Sequence, residues 1–181
     1  MIINFNQKDA MNSDAGGLID RSGNYKGKVT KAEIHKGNEQ SIYITFGFEN
    51  QNGEKIDYVN LYTKKKDGER CFGFYLVQAL MGLLGLKSVE AKKVEENLII
   101  PELVDRYIGF GLQKEWYVKS DGNIAWKMNL LRFYDVETNK TYTEMVSNKN
   151  PEKWELTIQD KGKPVVPAEV EGSYIDDDLP F

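Results

Sequence analysis

Hydrophobic and polar residues alternate along the first third of the chain in a way that is typical of β-strands. The clearest run is residues 42–49, in which four apolar side chains share one parity: Ile42, Ile44, Phe46 and Phe48. A period of two predicts a half-buried strand. Residues 25–36 predict a strand before this run. Residues 55–63 predict a strand after it, joined to it by a turn at 50–53, so the second and third strands form a hairpin.

The hydrophobic spacing changes after this hairpin. From Glu69 to Leu86 apolar residues recur three and four positions apart, which predicts a buried helix despite Gly73 and Gly82. Residues 88–97 fit a charged connector or a further helical turn. Two more alternating segments, 106–119 and 124–136, are separated by a Ser-Asp-Gly-Asn turn and predict the last two strands.

The resulting order is β-β-β-α-β-β. Five strands with a helix between the third and the fourth is the order of the OB-fold, a mainly-β, partly open Greek-key barrel. A β-sandwich is the alternative, because element order predicts the number of strands better than the closure of the sheet. We expect residues 1–22 to be an N-terminal arm and 23–159 an OB-fold domain with C-terminal elaboration. We expect 160–181, rich in Pro, Gly and acidic residues, to be a flexible acidic tail.

One feature of the first strand departs from simple alternation. Its apolar positions change parity between Val29 and Ala32, which predicts a bend or bulge.

Composition excludes several classes of protein. The chain has 181 residues, enough for one folded unit, and its single Cys71 and single His35 supply neither an internal disulfide nor a metal cage. We expect His35 to lie in solvent at a strand end. No nucleotide-binding loop or catalytic motif is present, so the sequence predicts no enzyme and no cofactor. With no leader-like start and no long uninterrupted apolar run, the expectation is a cytoplasmic protein without membrane contact.

Acidic charge is concentrated at one end of the chain. Residues 169–181 hold five acidic residues and no Lys or Arg, a charge of −5, within a net charge of −4 for the whole chain. The remaining 168 residues therefore carry +1. A nearly neutral body predicts that any nucleic-acid site is a local groove.

The strands carry aromatic and basic residues suited to single-stranded nucleic acid, whose bases stack on rings while cations follow the phosphates. If the Phe46 side of the second strand faces the core, then Tyr43, Tyr58 and Tyr62 share the opposite face. Gly109 and Gly111 would leave an open floor on the fourth strand, and Trp116 has core parity. The candidate DNA-binding residues are Lys26, Lys28, Lys31, Tyr43, Tyr58, Tyr62, Lys64, Lys65, Lys66, Arg70, Tyr107, Tyr117 and Lys127.

The last six residues are three carboxylates followed by an apolar end: Asp176, Asp177, Asp178, Leu179, Pro180 and Phe181. This segment, here called the tip, resembles the acidic tip of phage and bacterial single-stranded DNA-binding proteins. Leu179 stands where that family often has Ile. The whole layout is also similar, with an OB-fold core followed by a proline-containing acidic tail.

The resemblance implies a protein that coats single-stranded DNA in replication, recombination and repair, in the cytoplasm of a bacterial host cell if the chain is phage-encoded. It also implies that replication or recombination proteins bind the tip through the six residues named above. Assembly into homo-oligomers is left open. The alternatives are an OB-type interaction adaptor without DNA binding and a carbohydrate-binding domain, which would fit the tyrosines but gives the tail no role.

Overall fold

The computed structural model describes residues 16–162. These residues form seven antiparallel strands in one sheet and a few helices. The strands are β1 (Gly23–Lys36), β2 (Ile42–Asn50), β3 (Lys55–Lys64), β4 (Lys92–Val94), β5 (Asn97–Ile99), β6 (Tyr107–Val118) and β7 (Ile124–Tyr134). The α-helices are α1 (Phe72–Leu83), α2 (Tyr142–Val146) and α3 (Glu152–Glu155), and a 3-10 turn spans Pro101–Leu103.

Strand β1 organises the sheet because it pairs with three other strands. It pairs with β2 and with β5 toward its C-terminal end, and with β6 along residues 23–28. Strand β3 pairs with β2, and β7 pairs with β6. No hydrogen-bonded ladder joins β3 to β7 within the described residues, so the sheet is open. The prediction of a mainly-β fold is confirmed.

The predicted irregularity in β1 is confirmed. The register of the β1–β2 ladder shifts between Val29 and Lys31. This bulge changes which face each side chain occupies, so that Val29 and Ala32 are both buried although they are three residues apart. Lys31, Glu33 and His35 are consequently on the opposite face from Ala32.

The five long strands and α1 lie where the hydrophobic pattern predicts them. The suggestion of a further helical turn in residues 88–97 is wrong. This connector contains the short β4–β5 hairpin, whose turn includes Glu95 at a φ of 55°. Leu98 of β5 pairs with Ile34 of β1. Three-residue strands are too short to show alternation, and their pairing depends on β1, some sixty residues earlier in the chain. Local sequence therefore gave no signal for them.

Aromatic side chains fill the centre of the core. Phe46, Phe48, Phe110 and Phe133 are buried, and the rings of Phe48 and Phe110 stack with centroids 4.3 Å apart. Helix α1 adds Leu76 and Leu80 to the same cluster. Burying rings of this size contributes much of the apolar stabilisation of a domain.

Tyr134 at the end of β7 and the segment that follows it cover the outward side of β6, and this corrects the expected open floor at Gly109 and Gly111. A Cβ at Gly109 would lie 2.0 Å from the ring of Tyr134, and one at Gly111 would lie 2.9 Å from Ile158. Tyr134 is fully buried, stacks edge-on with Trp154 and donates its hydroxyl to the carbonyl of Tyr25 at 2.6 Å. The two glycines make room for the protein's own chain, not for a ligand.

Both ends of the described chain are attached to the sheet. Ile19 is buried and its N–H donates to the carbonyl of Lys55 at 2.9 Å. At the other end, Ser22 donates to the carboxylate of Asp160, and the N–H of Lys161 donates to the carbonyl of Lys114 at 2.8 Å. The chain is therefore held through Lys161, beyond residue 160 where the flexible tail was expected to begin.

Candidate nucleic-acid interface

Three rings form a continuous row across the outward face of β1, β2 and β3. His35 pairs with Tyr43 and Tyr43 pairs with Tyr62 in the two ladders. The centroids are 5.1 Å apart in each pair, with the His35 and Tyr43 planes inclined by 22° and the two tyrosines by 39°. We call these three residues the aromatic row. The sequence predicted the tyrosines on one face, which the structure confirms, but it placed His35 in solvent at a strand end and so did not include it, because the stacking partner of His35 lies on a different strand.

Tyr58 lies further along the same face. It is 76% exposed, and Lys31 Nζ lies 5.1 Å from its ring centroid. Between Tyr58 and the aromatic row, the Thr45 hydroxyl donates to Asn60 Oδ1 at 2.8 Å. The face therefore has one three-ring platform and one separate ring, with a polar pair between them.

A basic turn, Lys64–Lys66, continues directly from the aromatic row at the end of β3. Its three lysines and Tyr62 line a cavity of about 440 Å³, together with Asn38, Ser41 and Cys71. Lys65 is 3.4 Å from Glu69 and Lys66 is 3.8 Å from Glu39, whereas Lys64 has no ion pair within residues 16–162. The pairs are exposed and hence weak. A phosphate could displace them at small cost.

Arg70 lies next to the basic turn because it forms an isolated antiparallel bridge with Lys64. Its guanidinium lies 4.3 Å from the ring centroid of Phe74, a cation–π contact at the start of α1. Arg70 therefore lies beside the lysines of the basic turn, as the sequence predicted.

Lys26 was expected beside these residues, and the structure places it elsewhere. Its Nζ donates to the carbonyl of Val136 at 2.7 Å and lies 5.0 Å from the ring of Trp154. The segment after β7 captures this side chain on the opposite half of β1. We therefore leave Lys26 out of the interface.

The remaining candidates are spread over two other places. Lys28 and Tyr107 are neighbours in the β1–β6 ladder, with Lys28 Nζ 4.0 Å from Asp105. Tyr117 and Lys127 lie on the β6–β7 hairpin, where Lys127 is 3.2 Å from Glu115. These four candidates therefore lie away from the aromatic row, a distribution over the sheet that the sequence did not predict.

The β6–β7 hairpin also carries a pair of rings that the sequence analysis did not assign to the site. Trp116 pairs with Trp126, and Lys114 Nζ lies 4.5 Å and 4.6 Å from their ring centroids. Trp116 is only half-buried, so its expected place in the core is wrong. It has core parity, but the hairpin extends past the end of the core at Met128. Strand length beyond the core is a tertiary property that parity cannot show.

A groove of about 540 Å³ follows the seam between β3 and β7. Tyr58, Trp126 and Lys127 are among the residues that line it. The groove therefore connects the face that bears the aromatic row with the hairpin that bears the tryptophans.

Glu115 connects the hairpin to the end of the described chain. Its carboxylate is 2.7 Å from Lys161 Nζ and 3.2 Å from Lys127 Nζ, and Asn129 Nδ2 donates to it at 2.7 Å. The hydrogen bond from Lys161, with those from Asn129 and Lys127, lowers the pKa of Glu115 to about 2.

This arrangement predicts a pH-dependent stability difference. Because the folded-state pKa of Glu115 is below its ordinary value of 4.5, ionised Glu115 stabilises the fold at neutral pH, and this contribution disappears as pH falls from about 4.5 to about 2. Glu115→Gln should therefore have a lower Tm than the wild type at pH 7, and the two values should converge as the pH falls from about 4.5 toward about 2. Melting curves across this range test the prediction. Glu90→Gln, at an exposed carboxylate with no ion pair in the described chain, should match the wild type throughout, and a pH-independent difference for Glu115→Gln would contradict it.

No protein-family model matches the sequence, and no curated protein matches it significantly. Across residues 16–162, His, Cys, Asp and Glu do not gather into a group of three that could hold a metal ion. No helix in the same stretch has the length and apolarity to span a membrane. The tip, Asp176–Phe181, lies outside the described residues.

Proposed function

We propose that this protein binds single-stranded DNA without strong sequence preference, on the face formed by β1, β2 and β3. The observation that carries the proposal is the aromatic row of His35, Tyr43 and Tyr62 beside the basic turn. Rings accept the face of any base, and stacking is worth about 1–3 kcal/mol per base. Lysines at the end of the row supply the phosphate contacts.

The seam groove gives this path a natural continuation. A strand stacked on the aromatic row reaches Tyr58 along the same face, and from there the groove leads to Trp126 and Lys127. The nearly neutral charge of the body is compatible with DNA binding, because the lysines of the basic turn concentrate positive charge on one face. A globally basic surface is then not needed.

The arrangement of the strands supports an OB-type fold as the finer description. The pairing runs β3-β2-β1-β6-β7, and α1 lies between β3 and β6 in the chain, which supports the central strands and two loops as one binding face. In OB-folds such a face and the loops after strands one and four bind oligonucleotides. Here those loops are residues 37–41, beside the basic turn, and the end of the β6–β7 hairpin.

The cellular role is proposed from the resemblance of the tip. We place the protein in DNA replication, recombination and repair in the cytoplasm of a bacterial host, as a binding protein without catalysis. In this role the tip recruits replication or recombination enzymes while the sheet holds DNA, and copies of the chain coat the strand side by side.

A gel-shift experiment with the full chain tests the proposal. Single-stranded oligo-dT should be shifted at low salt and duplex of the same length should be shifted much less, because paired bases cannot stack on the row. Raising the salt should weaken the shift. Absence of any shift at low salt would favour an interaction adaptor, and a response to a glycan in place of DNA would favour carbohydrate binding.

A further inference from the structure

An apolar groove on the side of α1 has no role in the proposed DNA site. It lies between α1, β7 and the segment with α2 and α3, and has a volume of about 360 Å³. That volume is at the lower end of the range for ligand pockets, about 300–1,000 Å³. Its large side chains remain well exposed, at 63% for Phe72, 61% for Tyr75 and 52% for Leu156. We call it the α1 groove.

A guanidinium lines the α1 groove. Arg132 is among the lining residues, and its buried Nη1 has no hydrogen-bond partner in residues 16–162. Burial lowers the pKa of Arg132, so its guanidinium is partly dehydrated. An anionic group bound in the groove would be attracted by the charge of this guanidinium.

The nearest buried carboxylate does not pair with this guanidinium. Glu144 lies close enough to act on the charge of Arg132, but it makes no ion pair with it within 4.0 Å. Its oxygens accept the N–H groups of Lys153 and Thr141 and the Thr141 hydroxyl, in a capping box at the start of α2. Lys153 also lines the α1 groove, so two cations border its apolar walls.

We propose that the α1 groove binds the tip, Asp176–Phe181, of the same chain. Leu179 and Phe181 match the apolar walls formed by Phe72, Tyr75 and Leu156. The three aspartates match the positive charges of Arg132 and Lys153, which both line the groove. No other segment of the chain combines three consecutive carboxylates with adjacent large apolar residues.

The length of the chain permits this contact. Leu156 of the α1 groove is six residues before Gly162, the last described residue, so the two lie within about 20 Å of each other. A chain of 17 residues leads from Gly162 to Leu179, and a flexible chain of that length has a root-mean-square span of about 25 Å. Tethering gives an effective concentration in the millimolar range, so even a weak contact would be occupied.

The tip would then have two states, one bound in the α1 groove and one bound to a partner protein. A partner must compete with the groove to bind the tip. This inference does not rest on DNA binding, because the α1 groove and the aromatic row share no residue.

Photo-crosslinking within the full chain tests the proposal. Benzoylphenylalanine replaces Phe181, the protein is irradiated at low concentration, and crosslinked peptides are mapped by mass spectrometry. We expect the main crosslinks on the monomer to fall on α1, α2 or Leu156. Crosslinks mainly to β1–β3, crosslinks only between two chains, or none above background would each overturn the proposal.

A charge swap at one exposed position provides the matched control. Tyr75→Glu in the crosslinking protein places a carboxylate among the aspartates and should lower the groove crosslink at least about fivefold. Tyr75→Lys removes the same ring but should keep more of the crosslink than Tyr75→Glu. Equal yields in the two variants would contradict the electrostatic part of the proposal, and unchanged melting curves show that both remain folded.

Discussion

Replacing Tyr43 and Tyr62 together by alanine should weaken binding of single-stranded DNA by about 30-fold or more. Each ring lost from a stacking platform costs about 1–3 kcal/mol, and 1.4 kcal/mol is a factor of ten. The two tyrosines are neighbours in the aromatic row, so their removal leaves only His35 of the platform. Titration of wild type and variant with the same oligo-dT at fixed salt measures the effect.

The matched control keeps the rings and removes the hydroxyls. Tyr43→Phe with Tyr62→Phe should bind within about threefold of the wild type, because stacking needs the ring and not the hydroxyl. The salt dependence should be similar in all three proteins, since the lysines are unchanged. A folded alanine variant that binds within twofold of the wild type would remove the aromatic row from the interface.

Gly73→Ala should destabilise the protein by about 1–3 kcal/mol, the typical cost of overpacking a well-packed site. Alanine in place of glycine inside a helix is ordinarily favourable by up to 1 kcal/mol. Here the added Cβ would lie 2.1 Å from the carbonyl oxygen of Tyr62 and 2.8 Å from the Leu61 side chain. A backbone oxygen cannot turn away, so α1 or the end of β3 must move.

The same substitution should also reduce DNA affinity, because the backbone it displaces carries a ring of the aromatic row. Cys71 Sγ, just before α1, contacts the same Tyr62 carbonyl at 2.8 Å. Urea unfolding gives the stability change, and Gly17→Ala, whose Cβ would meet nothing within 4 Å, should leave stability nearly unchanged. A Gly73→Ala protein more stable than the wild type would show that the close approach of α1 to β3 is wrong.

The strands and the shared face of the three tyrosines could be predicted from the sequence because alternation is a local signal. Tyr43, Tyr58 and Tyr62 lie opposite Phe46 and Val59, as period-two parity requires. The bulge in β1 was visible as a parity change between Val29 and Ala32. These features need no knowledge of distant parts of the chain.

The distribution of cations could not be predicted in this way. Lys26 donates to the carbonyl of Val136 and contacts the ring of Trp154, and both residues lie more than a hundred positions later in the chain. The floor at Gly111 is occupied in part by Ile158, from the same late segment of the chain. The segment after β7 has no clear periodicity, so the sequence does not show where it packs. A lysine or glycine that this segment covers therefore looks solvent-exposed when only the sequence is considered.

The tryptophan pair illustrates a different limit. Trp116 follows the core parity of β6, but its exposure depends on how far the hairpin extends beyond Met128. Parity predicts the face of a strand and not the end of the core.

Fluorescence titration of the full chain with oligo-dT measures whether the protein binds single-stranded DNA. We expect saturable quenching of Trp and Tyr emission at low salt, an affinity that falls as salt increases, and little response to duplex DNA. No quenching and no binding at low salt, in a protein shown to be folded, would contradict the proposed DNA binding.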